Sequence, residues 1–112
     1  MGLYNRLVVS LKCKNCQNSF EGRIQFKVGD VDLNNYHVGD DIKITIADLD
    51  LKEKKIMAYG VLENGQCPFC NFNNAEEYDV LIDQRKVLGW RIMLDNSPYL
   101  EATFNGGRFY FP

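Results

Sequence analysis

Two cysteine pairs, Cys13/Cys16 and Cys67/Cys70, constrain this chain more than any other feature, because each pair spans two intervening residues and the sequence contains no other cysteine. Two residues between ligands let a tight turn aim both sulfurs at one ion, while amides of the turn donate to the thiolates and disperse their charge. Four thiolates at about 2.3 Å complete a closed tetrahedron with no position left for a substrate. The spacing therefore predicts one structural zinc ion per chain, with Cys13, Cys16, Cys67 and Cys70 as its ligands. Three alternatives stand beside it: a rubredoxin-like iron site, a redox-active pair and unligated thiols. Cys67-Pro68-Phe69-Cys70 is similar to a rubredoxin knuckle, but a redox pair would want a helix N-terminus, and both pairs here fall among strand patterns.

The about fifty residues between Cys16 and Cys67 exceed a minimal zinc ribbon, so strand pairing in the middle section has to return the second knuckle to the first. Asn64-Gly65 is a natural turn just before Cys67. Gln17-Asn18 and Asn71 stand where many knuckles carry glycine, and asparagine tolerates the left-handed conformation better than most residues.

Apolar residues on every second position mark the remaining elements as strands: Phe20, Ile24, Phe26 and Val28, then Ile42, Ile44 and Ile46, each set burying one face. The stretches Ile56 to Leu62, Tyr78 to Ile82 and Val87 to Leu94 continue the style, the last placing Leu88, Trp90, Ile92 and Leu94 together. Asp83-Gln84-Arg85-Lys86 suits a hairpin loop. Turn residues fall between the runs at Gly29-Asp30, Gly39-Asp40, Asn64-Gly65, Asn73-Asn74 and Asn105-Gly106-Gly107. A short helical turn can be capped by Asp48 over Ala47 to Lys55, and no long helical period occurs. Phe104, Phe109, Tyr110 and Phe111 suggest a last hairpin or a terminal strand docking on the body. The expected fold is mainly β, a small antiparallel meander or barrel with a zinc-ribbon or rubredoxin-like knuckle pair, and residues 1–112 form a single zinc-stabilised domain.

Other residues invite chemistry less strongly. His37 is the only histidine, and one histidine without a partner nucleophile and orienting group does not make a catalytic set; Tyr36-His37-Val38-Gly39-Asp40 reads as a strand end entering a turn. Asp30, Asp32, Asp40 and Asp41 lack calcium-loop spacing and suit turns or solvent. Trp90 shares its phase with Leu88 and Ile92 and is expected in the core. Three consecutive aromatics, Phe109 to Phe111, cannot all face one side of a strand.

Charge narrows the partners. The net charge is −2, with 13 basic against 15 acidic residues, and the densest basic stretch, Lys52, Lys54 and Lys55, is threaded with Asp48, Asp50 and Glu53. Non-specific nucleic-acid binding, which needs several phosphates neutralised at once, is disfavoured. No secretory h-region and no apolar run of membrane-spanning length is seen, so the expected location is the cytoplasm, where paired cysteines stay reduced.

The chain resembles a group of small bacterial and phage proteins that begin Met-Gly-Met-Tyr-Asp and carry two CxxC pairs. The matching residues are Met1-Gly2-Leu3-Tyr4-Asn5, Cys13/Cys16, Gln25-Phe26-Lys27 with Gly29-Asp30, Leu33 with Tyr36-His37, and Cys67/Cys70. The chain departs from that pattern at Leu3 and Asn5 and in its longer C-terminal section. The resemblance implies a bacterial or phage zinc-ribbon-like protein and carries no activity with it. The functional expectation is a non-enzymatic, zinc-stabilised module that binds a protein partner, an immunity or antitoxin protein being one version; a nucleic-acid-binding zinc ribbon is the alternative.

Overall fold

In β1 (Asn5–Lys12) the side chains of Leu7, Val9 and Leu11 point to one face, and β2 (Ser19–Phe26) meets them in antiparallel register, with Leu7 opposite Ile24 and Leu11 opposite Phe20. Strands with one buried face have this period of two, and a slip of one residue would turn the whole apolar set outward. The computed structural model describes residues 3–45, 54–74, 76–102 and 106–112. Among these, β3 (Asn35–Tyr36) runs parallel to β1, while β4 (Lys55–Leu62), β5 (Glu77–Asp83) and β6 (Lys86–Ile92) extend the sheet antiparallel from β2. The strand order is β3-β1-β2-β4-β5-β6, and β7 (Phe109–Tyr110) pairs with β4. Mainly β architecture is thus found as the residue pattern predicts, as a curled half-barrel that is mixed through the parallel β3.

The concave face holds the core, in which Leu7, Ile24, Ile56, Val80, Ile82 and Val87 are fully buried. Each such side chain contributes about 1.5–3 kcal/mol relative to exposure. Where β2, β4 and β5 approach closest the chain uses Gly60, at which a Cβ would lie 2.5 Å from Ile24 Cγ2. The sequence between β3 and residue 45 bridges the two edges of the curled sheet. Gly39 N–H donates to Val87 O at 2.8 Å, Val87 N–H to Asp40 O at 2.9 Å and Ile42 N–H to Arg85 O at 2.7 Å, while β3 lies on β1. Ile42 and Ile44 are buried as their alternation requires, but in an extended strap, because only Asp41 forms a bridge, to Lys86.

Three further differences have physical causes. The run Leu88, Trp90, Ile92, Leu94 does not share one buried face: a register shift between Leu81 and Ile82 lets Val87 pair with Ile82 and Gly89 with Leu81. Leu88 is the extra residue, so Val87 is buried, Leu88 is thrown outward and Trp90 returns to the core side, half-buried against Tyr78. Ile92 and Leu94 lie along the outermost strand and beyond it, and Leu94 is 95% exposed. A short helix, α1 (Ser97–Glu101), follows; its start is marked by Pro98 and by Asp95, whose Oδ1 accepts Ser97 N–H at 3.0 Å. The third difference is Asn74, read as turn punctuation but 6% exposed. The helical turn considered at Ala47 to Lys55 lies outside the described residues except for Lys54 and Lys55, the latter opening β4, and Ile46, Lys52 and Phe104 also lie outside them.

The Asp83–Lys86 loop is the predicted hairpin, and the register makes it a two-residue turn, with Gln84 and Arg85 both at positive φ (50° and 70°). The C-terminal aromatics dock as a terminal strand on the edge of β4: Phe109 packs against the core beside Ala58, and Tyr110, on the opposite face, meets Tyr99 edge-on at 4.9 Å. Phe111 is 44% exposed beneath the Lys54 ammonium, 5.2 Å from its ring. No helix among the described residues is long and apolar enough to cross a membrane.

Candidate metal centre

Antiparallel order decides where the two knuckles meet. The first lies in the β1–β2 connection and the second in the β4–β5 connection, and because β2 and β4 are antiparallel neighbours, the start of β2 and the end of β4 lie at the same end of the sheet. Glu63 N–H continues that ladder to Arg23 O at 2.8 Å, carrying the chain towards Cys67. Asn64 then turns it, its Oδ1 accepting Gln66 N–H at 3.1 Å.

The two knuckles are copies of one hydrogen-bonding pattern. Cys13 N–H donates to Asn18 O and Cys67 N–H to Phe72 O, both at 2.9 Å, closing each loop at its base. Gln17 N–H donates to Cys13 O at 3.0 Å and Asn71 N–H to Cys67 O at 2.9 Å. Both donors are left-handed, Gln17 at φ 67° and Asn71 at φ 63°, the positions flagged in the sequence for a glycine-like conformation. Asn15 N–H and Phe69 N–H each point at the first sulfur of their own knuckle at 3.4 Å.

All four sulfurs converge, within 4.8 Å of one another, with Cys13 Sγ 3.6 Å from Cys70 Sγ and Cys16 Sγ 3.6 Å from Cys67 Sγ. A tetrahedral ion with sulfur at about 2.3 Å requires sulfurs about 3.8 Å apart, close to the two short separations, so the cluster could hold one metal ion. The separations are also far beyond a disulfide bond, and all four cysteines are free. Cys13 and Cys67 are buried, Cys16 and Cys70 half-buried.

Side-chain amides complete the surroundings. Asn15 Nδ2 reaches across to Cys70 Sγ at 3.4 Å, and Asn18 Nδ2 donates to Cys16 Sγ at 3.4 Å. Asn74, which the residue pattern marks only as a turn residue, ties the two knuckles together: its Nδ2 faces Cys13 Sγ (3.5 Å), Gly65 O (3.2 Å) and Phe72 O (3.3 Å), and its Oδ1 accepts Lys14 N–H at 3.0 Å. The only sequence signal for it was an asparagine four residues beyond the last cysteine. The Lys14 side chain adds an ion pair with Glu76.

These donors act on the thiols unequally. Burial raises Cys13, but donation from the Cys16 amide, the Asn74 side chain and the Asn15 amide outweighs it and brings the thiol down to about 6. Cys70 is also lowered, first by the Asn15 side chain and then by the Phe72 amide. Burial dominates at Cys67, lifting it to about 11 despite the amides of Phe69 and Cys70. Donors that lower Cys13 and Cys70 beside the buried sulfur of Cys67 make a donor set suited to a cation.

The other residues that invite chemistry stay apart from this cluster. His37 is exposed in the turn after β3, where Asp40 Oδ2 accepts its amide N–H at 2.8 Å. Asp30 holds Thr45 through its amide and hydroxyl, and Asp41 lies 3.9 Å from Arg85, so these acids serve the strap and its turns. Comparison with known proteins gives no matching family profile, curated protein or solved structure.

Proposed function

We propose that Cys13, Cys16, Cys67 and Cys70 hold one structural zinc ion and that the chain is a non-enzymatic binding module whose metal-fixed end engages a protein partner. The observation that carries this is the closure of the cluster. The four clustered sulfurs would fill all four positions of a tetrahedral ion, whose work would then be to clamp two hairpin ends rather than to bind substrate. A four-sulfur tetrahedral set suits zinc or iron, and zinc, which has no redox chemistry, fits a clamp. Beside the clamp, the second knuckle carries Phe69, 65% exposed, and Phe72, 42% exposed. Aromatic side chains on a rigid loop are favoured at the centre of protein interfaces, since little conformational freedom is lost on binding.

The acidic balance supports a basic protein as the partner, and an immunity or antitoxin role, in which the domain covers a basic toxin, is the narrower form of the proposal. A cytoplasmic zinc-ribbon-like protein of bacterial or phage origin accommodates both. The test is affinity capture from the organism that encodes the chain, comparing wild type with a Phe69→Ser/Phe72→Ser variant of equal metal content. Wild type should retain a protein that the variant loses. Equal capture by both, or salt-sensitive binding of labelled oligonucleotides at physiological ionic strength, would overturn the proposal, the second in favour of a nucleic-acid-binding ribbon.

A further inference from the structure

A cleft far from the cysteine cluster in character opens where the sheet splits. On one edge of β4, β2 pairs only through Ile24 and Gln25 with Leu62 and Val61, while β7 takes Met57 and Ala58 further along the same edge. The gap between β2 and the chain leading into β7 becomes a cleft of about 760 Å³, floored by Tyr59 and Val61 and walled by Tyr99 and Leu100 of α1. That volume is in the range of about 300–1,000 Å³ used for small-molecule ligands.

Its aromatic wall is rigidly set. Tyr59 and Tyr99 meet edge to face at 5.3 Å and 89°. The Tyr99 hydroxyl donates to Asp79 Oδ1 at 2.6 Å and lies 3.1 Å from Ala58 O, and Asp79 is in turn gripped by Arg91 Nε at 2.9 Å. Tyr99, only 2% exposed and with its hydroxyl already committed, is therefore the fixed backing of the wall, and Tyr59 and Leu100 supply the apolar surface that lines the cleft.

The charge of the cleft runs against that of the chain. Lys27 lies on the β2 side and Arg108 on the β7 side, and no aspartate or glutamate occurs among the described lining residues, although acids outnumber bases in the sequence. Lys27 is half-buried and has no ion pair or hydrogen bond to another described residue. A half-buried lysine with no carboxylate beside it favours an anion there, and the apolar floor selects the body that carries it.

We propose that this cleft is a binding site for a small aromatic carboxylate, its ring against Tyr59 and Leu100 and its anionic group towards Lys27 and Arg108. The site is independent of the metal clamp and of any protein bound at the second knuckle. The test is a ¹⁵N-NMR titration of the intact, metal-containing chain with 2-naphthoate and with its neutral isostere 2-naphthamide. Naphthoate should shift the amides of Lys27, Gly106 and Gly107 saturably and bind about tenfold more tightly than the amide, the scale of one charge-assisted contact. Lys27→Gln should erase that preference, and Leu100→Asp, at a position 71% exposed and so safe for folding, should weaken naphthoate sharply through the acid it places in the wall. No saturable shift at these amides, equal binding of the two compounds, or an unchanged preference in Lys27→Gln would overturn it.

Discussion

Replacing Asn74 by alanine isolates the contribution of the groups around the sulfurs from that of the sulfurs themselves. Gly65 O and Phe72 O each keep a second donor, the amides of Asn74 and Cys67, so neither is stranded by the substitution. Lys14 N–H loses Asn74 Oδ1, and Cys13 Sγ loses one of the donors that hold it down near 6. A partly buried amide left unpaired costs at most about 1–3 kcal/mol and a lost hydrogen bond to an ionised group about 1.5–3 kcal/mol. With local relaxation the sum is about 2–4 kcal/mol of stability. In metal affinity the loss should be about 10–100-fold, the usual effect of removing an outer-shell partner. Asn74→Asp should be worse than Asn74→Ala, because it sets a carboxylate against four cysteine sulfurs, while Gln66→Ala, at an exposed position nearby, should stay within about 0.5 kcal/mol of wild type. Chelator competition and denaturant unfolding read both quantities. Equal behaviour of the Gln66 and Asn74 variants would refute the bridging role given to Asn74.

Cys67→Ser should lower the thermal midpoint by about 10 °C or more, since it loosens a cross-link between segments far apart in sequence, whereas His37→Ala should stay within about 1 kcal/mol; equal losses would mean that His37 does more than turn the chain. Tyr99 is raised by burial and by its bond to Asp79, so its stabilisation is complete below the ordinary tyrosine value of about 10 and is lost as pH rises beyond it, when the unfolded chain ionises first. Unfolding free energies measured from pH 8 to 11 should fall above pH 10, and less steeply in Tyr99→Phe, with an identical slope in both counting against the bond. Arg85→Gly should gain about 0.5–1 kcal/mol, because φ +70° in a two-residue hairpin suits glycine, and thermal melts would expose a loss instead.

The parts of the fold legible from residues were those set by short-range rules. Period-two alternation placed Phe20, Ile24, Phe26 and Val28 in the core, and CxxC spacing plus glycine-like positions located Gln17 and Asn71 at the left-handed turns of both knuckles. What escaped depends on partners distant in sequence. The bulge at Leu88 arises from pairing with β5, so alternation alone set Leu88 and Trp90 on one face. Ile42 and Ile44 alternate like a strand yet form a strap, since their neighbours are the β5–β6 turn and the residues after β2 rather than a continuous ladder. Asn74 looked like a turn residue because nothing local reveals that Lys14, Cys13 and Gly65 converge on it. The helix α1 is too short to display a period, though Ser97-Pro98 is a helix-start signal.

Metal content and coordination test the four-sulfur clamp directly. Protein prepared under reducing conditions without added metal should contain about one zinc per chain, and X-ray absorption at the zinc edge should show four sulfur neighbours at about 2.3 Å with no lighter atom in the shell. Metal near zero, iron in place of zinc, an oxygen or nitrogen neighbour, or a disulfide within either cysteine pair would contradict it.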